Sequence, residues 1–248
     1  MRFRGQGIEK GLHAMEHDYD RRRLLAGVGV TASGFMLAGA PGHAREGKKE
    51  EVGAVEDLMR EHGVIRRAIL VYRNSALKLR AGKSVDPQQL RKTAKLLSNF
   101  GEDYHERKLE EAHIFPAIKK AGGVAAAYVD FLIAQHNRGR EITAYFLDVV
   151  SKGRIETSAA EPLAQALEGF ELMYEHHAAR EDTVVFPAWK MTMSEKQLAE
   201  MGEKFEEIEH QQLGKDGFDD AVNQITQVEI ALGMSDIAQF TPPAPSRT

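Results

Sequence analysis

The 248-residue chain contains no cysteine. This absence excludes disulfides, thiolate metal sites, iron–sulfur clusters and thiol nucleophiles together, so any bound metal must be held by nitrogen and oxygen. A formal net charge of -4 leaves no basic excess of the kind that binds nucleic acid, and we expect no nucleic-acid partner. Proline is also scarce, with 8 residues, which favours long helices.

The N-terminus has the features of a targeting segment. Three arginines at residues 21 to 23 precede a weakly apolar run, residues 24 to 40, and small residues follow up to Ala44. This segment resembles a twin-arginine signal, which implies export of the folded protein by the twin-arginine machinery to a periplasmic or other extracytoplasmic location. A retained N-terminal anchor is the alternative, although several glycines dilute the run. After cleavage we expect no membrane association.

Beyond Ala44, apolar residues recur at intervals of three and four, which predicts helices throughout. Asp86 before Pro87, Ser158 with Glu161, and Ser194 with Gln197 are helix-start signals. The predicted helices cover about residues 55–81, 86–112, 123–152, 158–182, 194–214 and 218–232. We therefore predict an all-α fold, an antiparallel up-down-up-down four-helix bundle with two additional C-terminal helices.

These patterns divide the chain into four parts. Residues 1–44 are the predicted targeting segment and residues 45–190 the bundle. Residues 191–234 form a predicted C-terminal helical extension, and residues 235–248 a proline-rich tail that is not expected to be helical from Phe240 onward.

An internal repeat appears when residues 55 to 118 are laid over residues 129 to 189. Each half offers one histidine on one helix, and a histidine with a glutamate on the next. Both glutamates stand five residues before a Phe-Pro pair, and an arginine follows the first histidine of each half by four residues. The residues concerned are His62, His105 and Glu110 in the first half, and His136, His177 and Glu181 in the second.

The apolar periodicity predicts that these side chains face the bundle axis, because His62 and His136 each stand seven residues after a core valine. A single inward histidine has a simpler explanation as a hydrogen-bonded core residue. Four histidines converging with two carboxylates are too costly to bury without compensating charge. Two cations, each with two imidazoles and sharing both carboxylates, would supply it, and iron suits this ligand set.

Two points about the spacing of the candidate ligands depend on the helix geometry. His105 and Glu110 are five residues apart, which turns an α-helix by about 140°, so a π-bulge near Lys108 is needed to align them. His176 is also five residues before Glu181 and is an alternative to His177, although the apolar phase favours His177.

Four other residues are candidates for a role near the site. We predict that His113 lies partly exposed at a helix end and that His210 lies on a solvated face. Arg66 and Arg140, one turn beyond their histidines, are either hydrogen-bond partners of the carboxylates or surface residues.

The whole pattern resembles the hemerythrin-like (HHE cation-binding) family over roughly residues 54 to 190, most specifically at residues 58–63 and 179–187. The resemblance implies a four-helix bundle with a carboxylate-bridged, non-haem di-iron centre, with zinc or manganese as alternative metals. It assigns the ligands as His62, His105, His136 and His177, with Glu110 and Glu181 as bridges.

This sequence departs from the oxygen-carrying members of the family, which have a second histidine where Arg140 stands. The remaining set of four histidines and two glutamates is similar to that of iron-centre repair proteins in the same superfamily. The resemblance therefore leaves three functions open: binding or sensing of O2, NO or peroxide, or iron handling; a di-iron peroxide or NO reductase or repair enzyme; and a structural zinc site. Whether the protein is an enzyme is left open.

Overall fold

The computed structural model describes residues 52–246, and the predicted targeting segment lies outside them. The described residues are helical and contain no strand. The helices are α1 (Ala54–Arg80), α2 (consecutive segments Pro87–Leu96, Leu97–Ile114 and Phe115–Ala121), α3 (Gly123–Val149), α4 (consecutive segments Thr157–Arg180, Glu181–Val185 and Phe186–Lys190), α5 (Glu195–Leu213), α6 (Gly217–Leu232) and a 3-10 turn at Ile237–Phe240. None of the helices in this range is long and apolar enough to cross a membrane.

The predicted helix starts are mostly confirmed by their caps. The Asp86 side chain accepts hydrogen bonds from the backbone N–H groups of Gln88 and Gln89, and Pro87 opens the helix where no N–H is needed. Ser194 and Gln197 form the predicted capping box of α5. The sharp turn between α2 and α3 requires Gly122, whose φ of 76° lies in the left-handed region that favours glycine.

The predicted cap at Ser158 is wrong. Helix α4 begins one residue earlier, at Thr157, with Glu156 in the cap position and no side-chain cap bond. Pro162 consequently lies inside the helix, past its first turn, where its missing N–H removes one backbone hydrogen bond.

Helices α2 and α4 both continue beyond their predicted ends, to Ala121 and Lys190. Each passes through a π-helical segment, Leu97–Ile114 in α2 and Glu181–Val185 in α4, and returns to α-helix at a Phe-Pro pair. The prolines stand in the first turn of these last segments, where a missing N–H is tolerated. The change of helical period explains why an α-helical pattern alone places the helix ends too early.

Helices α5 and α6 are attached to the other helices by aromatic and charged contacts. The ring of Phe205 in α5 stacks on Trp189 at the end of α4, with centroids 5.7 Å apart. The Arg60 guanidinium lies 4.3 Å from the centroid of the Phe218 ring. Arg67 forms an ion pair with Glu229 of α6 at 2.5 Å. The C-terminal extension therefore packs against α1, α2 and α4. Residues 241–246 beyond it are not helical.

Candidate metal centre

Four helices bring the six predicted ligands together in the interior. His62 comes from α1, His136 from α3, and each of α2 and α4 supplies one histidine and one glutamate. Each of these six residues is at most 3% exposed. We call this set the His–Glu cluster; its members are His62, His105, Glu110, His136, His177 and Glu181.

Each carboxylate of the His–Glu cluster lies between two imidazoles that belong to different halves of the repeat. Glu110 places one oxygen 3.4 Å from Nε2 of His105 and the other 3.3 Å from Nε2 of His136. Oε2 of Glu181 lies 3.5 Å from Nε2 of His62 and 3.0 Å from Nε2 of His177. The two halves of the sequence repeat therefore share both carboxylates.

The histidines form two pairs of similar geometry. The ring centroids of His62 and His105, the first pair, are 4.7 Å apart. Those of His136 and His177, the second pair, are 4.8 Å apart, and their Nε2 atoms lie within 3.1 Å of each other. Each pair offers two ring nitrogens on the side that faces the two carboxylates.

The outward ring nitrogen, Nδ1, of every histidine faces a side-chain oxygen. The distances are 2.7 Å from His62 to Asp182, 2.5 Å from His105 to Glu61, 2.8 Å from His136 to Glu111 and 3.0 Å from His177 to Gln135. Carboxylate and amide oxygens can only accept, so the ring proton sits on Nδ1. In a neutral imidazole Nε2 is then a lone pair, directed into the cluster.

This arrangement leaves buried atoms without a protein partner. Among residues 52–246, Nε2 of His62 and of His105 and all four carboxylate oxygens of Glu110 and Glu181 form no hydrogen bond. The facing Nε2 atoms of the second pair would both be acceptors, which repel at that distance. Unpaired buried charge is costly, and a cation at each pair would satisfy these atoms. The ligand set of nitrogen and carboxylate oxygen fits iron, manganese or zinc.

The surroundings also favour protons on His105 and His136 when no metal is bound. Burial disfavours a charge on His136, but the carboxylates of Glu106, Glu110 and Glu111 outweigh it and raise its pKa to about 10. Burial likewise opposes a charge on His105, yet Glu110 and Glu61 raise its pKa well above the usual value. A metal ion and the Nε2 protons therefore compete for the same positions.

The two arginines one turn beyond the histidines contact the residues that orient those histidines. Arg66 donates to the second oxygen of Asp182 at 2.7 Å, and Arg140 donates to Glu111 at 2.5 Å. Arg140 also donates to Glu106, at 3.1 Å. Its guanidinium therefore joins two carboxylates that lie beside His136.

The structure answers both spacing questions. The Leu97–Ile114 segment of α2 is π-helical, and this brings Glu110 into line with His105 across five residues. His177 is buried in the cluster, whereas His176 is exposed. His113 is half-buried with its ring 5.9 Å from that of Phe205, outside the groups that could hold a metal.

His210 is exposed near the end of α5, as predicted. The sequence prediction missed the residues that orient the histidines, which we call the orienting residues: Glu61, Glu111, Gln135 and Asp182. A signal for them exists, because two directly precede a histidine of the His–Glu cluster and two directly follow a glutamate of the cluster. Tyr104, whose hydroxyl donates to Glu61 at 2.8 Å, was missed as well.

Comparison with known proteins agrees with this geometry. The family model of the hemerythrin HHE cation binding domain matches residues 53–189. Uncharacterized proteins of Mycobacterium bovis and Mycobacterium tuberculosis are each 37% identical over 233 residues, covering 89% of this chain and 91% of their own length. No solved structure matches the chain significantly. The domain match spans the helices that supply the His–Glu cluster, and the chain belongs to the hemerythrin HHE cation-binding family.

Proposed function

We propose that the protein holds two iron ions in the His–Glu cluster and uses them to bind or sense a small oxidant, O2, NO or peroxide. The observation that carries this proposal is the position of each carboxylate between imidazoles of both halves. In this arrangement each histidine pair would hold one ion, and the carboxylates of Glu110 and Glu181 would be available to both ions. The four supporting helices would form the predicted up-down-up-down bundle.

The residues around the ions have separate tasks in this proposal. Iron supplies reversible binding of small molecules and a change of oxidation state. The orienting residues keep the Nδ1 protons in place, so that Nε2 stays directed at the ion. Burial of the cluster excludes bulk water, which strengthens the electrostatic interactions of the two carboxylates.

Metal analysis of protein purified without chelator is the first test. We expect about two iron ions per chain, and a substantial loss in His62→Ala, which removes one ligand of the first pair. His176→Ala is the matched control, because this exposed histidine adjoins a ligand and we expect it to leave the metal content unchanged. Less than about one metal ion per chain would contradict the proposal, and zinc in place of iron would favour the structural role.

Ligand binding is tested on the anaerobic ferrous protein. Exposure to O2, NO or peroxide should change the iron absorption spectrum, and removal of O2 or NO should reverse the change if the protein is a carrier or sensor. The absence of a spectral change with all three would eliminate this function while leaving metal binding intact.

A reductase or repair enzyme is the second candidate, and the position of Arg140 favours it. Because Arg140 replaces a histidine and bonds to Glu106 and Glu111, α3 contributes one imidazole where the oxygen carriers have two. A coordination position left open in this way suits a substrate. Turnover of peroxide or NO that disappears in His62→Ala and Glu181→Ala would support this function, and turnover that persists in both would exclude it.

We also propose that the chain is exported in its folded, metal-loaded form, because residues 21 to 23 resemble the twin-arginine signal. Replacing Arg21 and Arg22 together by lysine should retain the protein in the cytoplasm, as measured by cell fractionation. N-terminal sequencing of the exported protein distinguishes a cleaved signal, with a new terminus near Ala44, from a retained anchor.

A further inference from the structure

We propose that the two metal positions are unequal, and that Glu61 and Gln135 set their order: the first pair binds its ion more tightly than the second pair. This inference rests on the proposed dinuclear centre and concerns residues that are not themselves ligands. It follows from comparing the orienting residues of the two halves.

Two of the orienting residues connect neighbouring helices in the same way. The residue before the ligand histidine of α1 accepts from His105 on α2, and its counterpart on α3 accepts from His177 on α4. In the first half this residue is Glu61, and in the second half it is Gln135.

The other two orienting residues are alike in both halves. His62 bonds to Asp182, which is held by Arg66, and His136 bonds to Glu111, which is held by Arg140. Each is an acidic side chain paired with an arginine four residues beyond its histidine. Among the hydrogen-bond partners of the histidines, the halves therefore differ by the exchange of glutamate for glutamine. The second pair also has Glu106 nearby, whose carboxylate lies 4.0 Å from Nδ1 of His136 and is paired with Arg140.

A carboxylate behind an imidazole makes the ring nitrogen a stronger ligand than an amide does, because its negative charge stabilises the positive charge that the ring shares with the metal. The distances agree with this difference, 2.5 Å from His105 to Glu61 but 3.0 Å from His177 to Gln135. Residues that orient metal ligands typically change metal affinity by about 10- to 100-fold. We expect a difference of that size between the two positions.

Glu61 is also held firmly and lies in negative surroundings. It is 1% exposed, and its second oxygen accepts a hydrogen bond from Tyr104 at 2.8 Å. Carboxylate oxygens of Asp57 and Glu209 lie within 4.8 Å of Glu61. Gln135 is only half-buried and carries no charge. The first pair is thus the anchored position, and the second pair is where an ion would enter last and leave first.

The test is an anaerobic titration of the metal-free full-length protein with ferrous ion, in competition with a coloured chelator. The wild type should bind two ions in separate steps, with affinities about 10- to 100-fold apart. Glu61→Gln should weaken the tighter step by about that factor and merge the two steps. Gln135→Glu should strengthen the weaker step, a gain that misfolding cannot produce.

Two further variants assign the steps to positions. Tyr104→Phe keeps the Glu61 carboxylate behind His105 and should preserve both steps, which makes it the matched control for Glu61→Gln. His177→Ala should abolish the weaker step and leave the tighter one, whereas His105→Ala should abolish the tighter one. Circular dichroism establishes that each variant is folded.

The outcomes separate this inference from the proposed function. Two ions bound with equal affinity in the wild type, or two steps that neither Glu61→Gln nor Gln135→Glu shifts, would overturn the inequality while leaving the dinuclear centre in place. Failure of the wild type to bind ferrous ion at all would overturn the proposed function itself.

Discussion

Helices α2 and α4 deliver the same pair of side chains, a histidine and a glutamate, from different backbones. On α4, His177 and Glu181 are four residues apart and the π segment begins only at the glutamate. On α2, His105 and Glu110 are five residues apart within a π segment of 18 residues. Yet the histidine Nε2 to carboxylate distances are similar, 3.0 Å on α4 and 3.4 Å on α2.

The comparison indicates that the cluster constrains the direction of the side chains more tightly than it constrains the helix type. In a π-helix the backbone hydrogen bonds join residues five apart, so the residue five positions on lies above the first. The π-helical geometry of α2 thus accommodates the one additional residue between His105 and Glu110. Five predictions are ordered from the largest expected effect to the smallest, and the first two test how far the equivalence of the two helices extends.

The largest effect is expected from removing either carboxylate. Since Glu110 and Glu181 each contact imidazoles of both pairs, Glu110→Ala and Glu181→Ala should each weaken binding of both ions, by more than about 100-fold. Iron content after desalting measures this, with the exposed Glu175→Ala as control. If one variant kept both ions, the two helices would not be equivalent in this respect.

Single-residue deletions should separate the two helix types. Deleting the exposed Lys108 gives α2 the spacing of α4, and we expect the π segment to relax to α-helix with metal retained. Deleting the exposed Arg180 shortens the α4 spacing to three residues and should abolish metal binding. Metal content and circular dichroism measure both variants. Loss of metal from the Lys108 deletion would show that the π geometry is required for more than its extra residue.

Metal binding should weaken as the pH falls, because His105 and His136 must each lose an Nε2 proton. The raised pKa of His105, and that of His136 at about 10, mean that both are protonated at pH 7 in the metal-free protein. Affinity should rise about tenfold per pH unit for each proton released. Calorimetry in buffers of different ionisation enthalpy counts these protons, and binding without proton release would contradict the competition.

The metal-free protein should show the opposite trend in stability. A histidine whose pKa is raised on folding stabilises the native state fully below its unfolded value of about 6.5 and loses that contribution as the pH rises through its folded value. For His136 the loss extends to pH 10 or so. Unfolding by urea between pH 6 and 10 measures this decline, which bound metal should suppress.

The smallest effect is expected at Glu102 of α2, three residues before His105, where α4 has Tyr174 three residues before His177. Burial, assisted by Glu106, raises the pKa of Glu102 to about 7, despite the opposing effects of Thr143 and Arg140. The ionised form of Glu102 is therefore less favourable in the native state than in the unfolded state. The free energy of unfolding consequently falls as the pH rises from about 4.5 to 7. Glu102→Gln should stabilise the protein by about 2 kcal/mol at pH 8 and by almost nothing below pH 4. Urea unfolding at both values measures this, and equal effects at both would exclude the charge as the cause.

Much of the fold and of the candidate site could be predicted from the sequence, because local periodicity and an internal repeat can be recognised without a structure. The inward phase of His62, His136 and His177 followed from apolar residues at intervals of three, four and seven. The i+5 spacing of His105 and Glu110 pointed to the π geometry, but not to its length of 18 residues. That length depends on packing across four helices, which no local pattern encodes.

The orienting residues were missed for a related reason. Glu61, Asp182 and Glu111 resemble the surface charges that flank many helical core positions, and only the fold shows that each reaches a histidine on another helix. The prediction of a helix cap at Ser158 failed for a different reason. A serine followed three residues later by glutamate is a frequent pattern, and here Thr157 already has helical geometry before it.

The cross-helix hydrogen bonds also bear on when a growing chain can take up metal. His62 and Asp182 are 120 residues apart in sequence, whereas His105 and Glu61 are separated by 44. A nascent chain that ends within α3 already contains both histidines of the first pair and Glu110, but neither Glu181 nor the acid that fixes His62. Complete loading must therefore await synthesis of the end of α4, which makes metal capture a late event in biogenesis and a measure of finished tertiary folding.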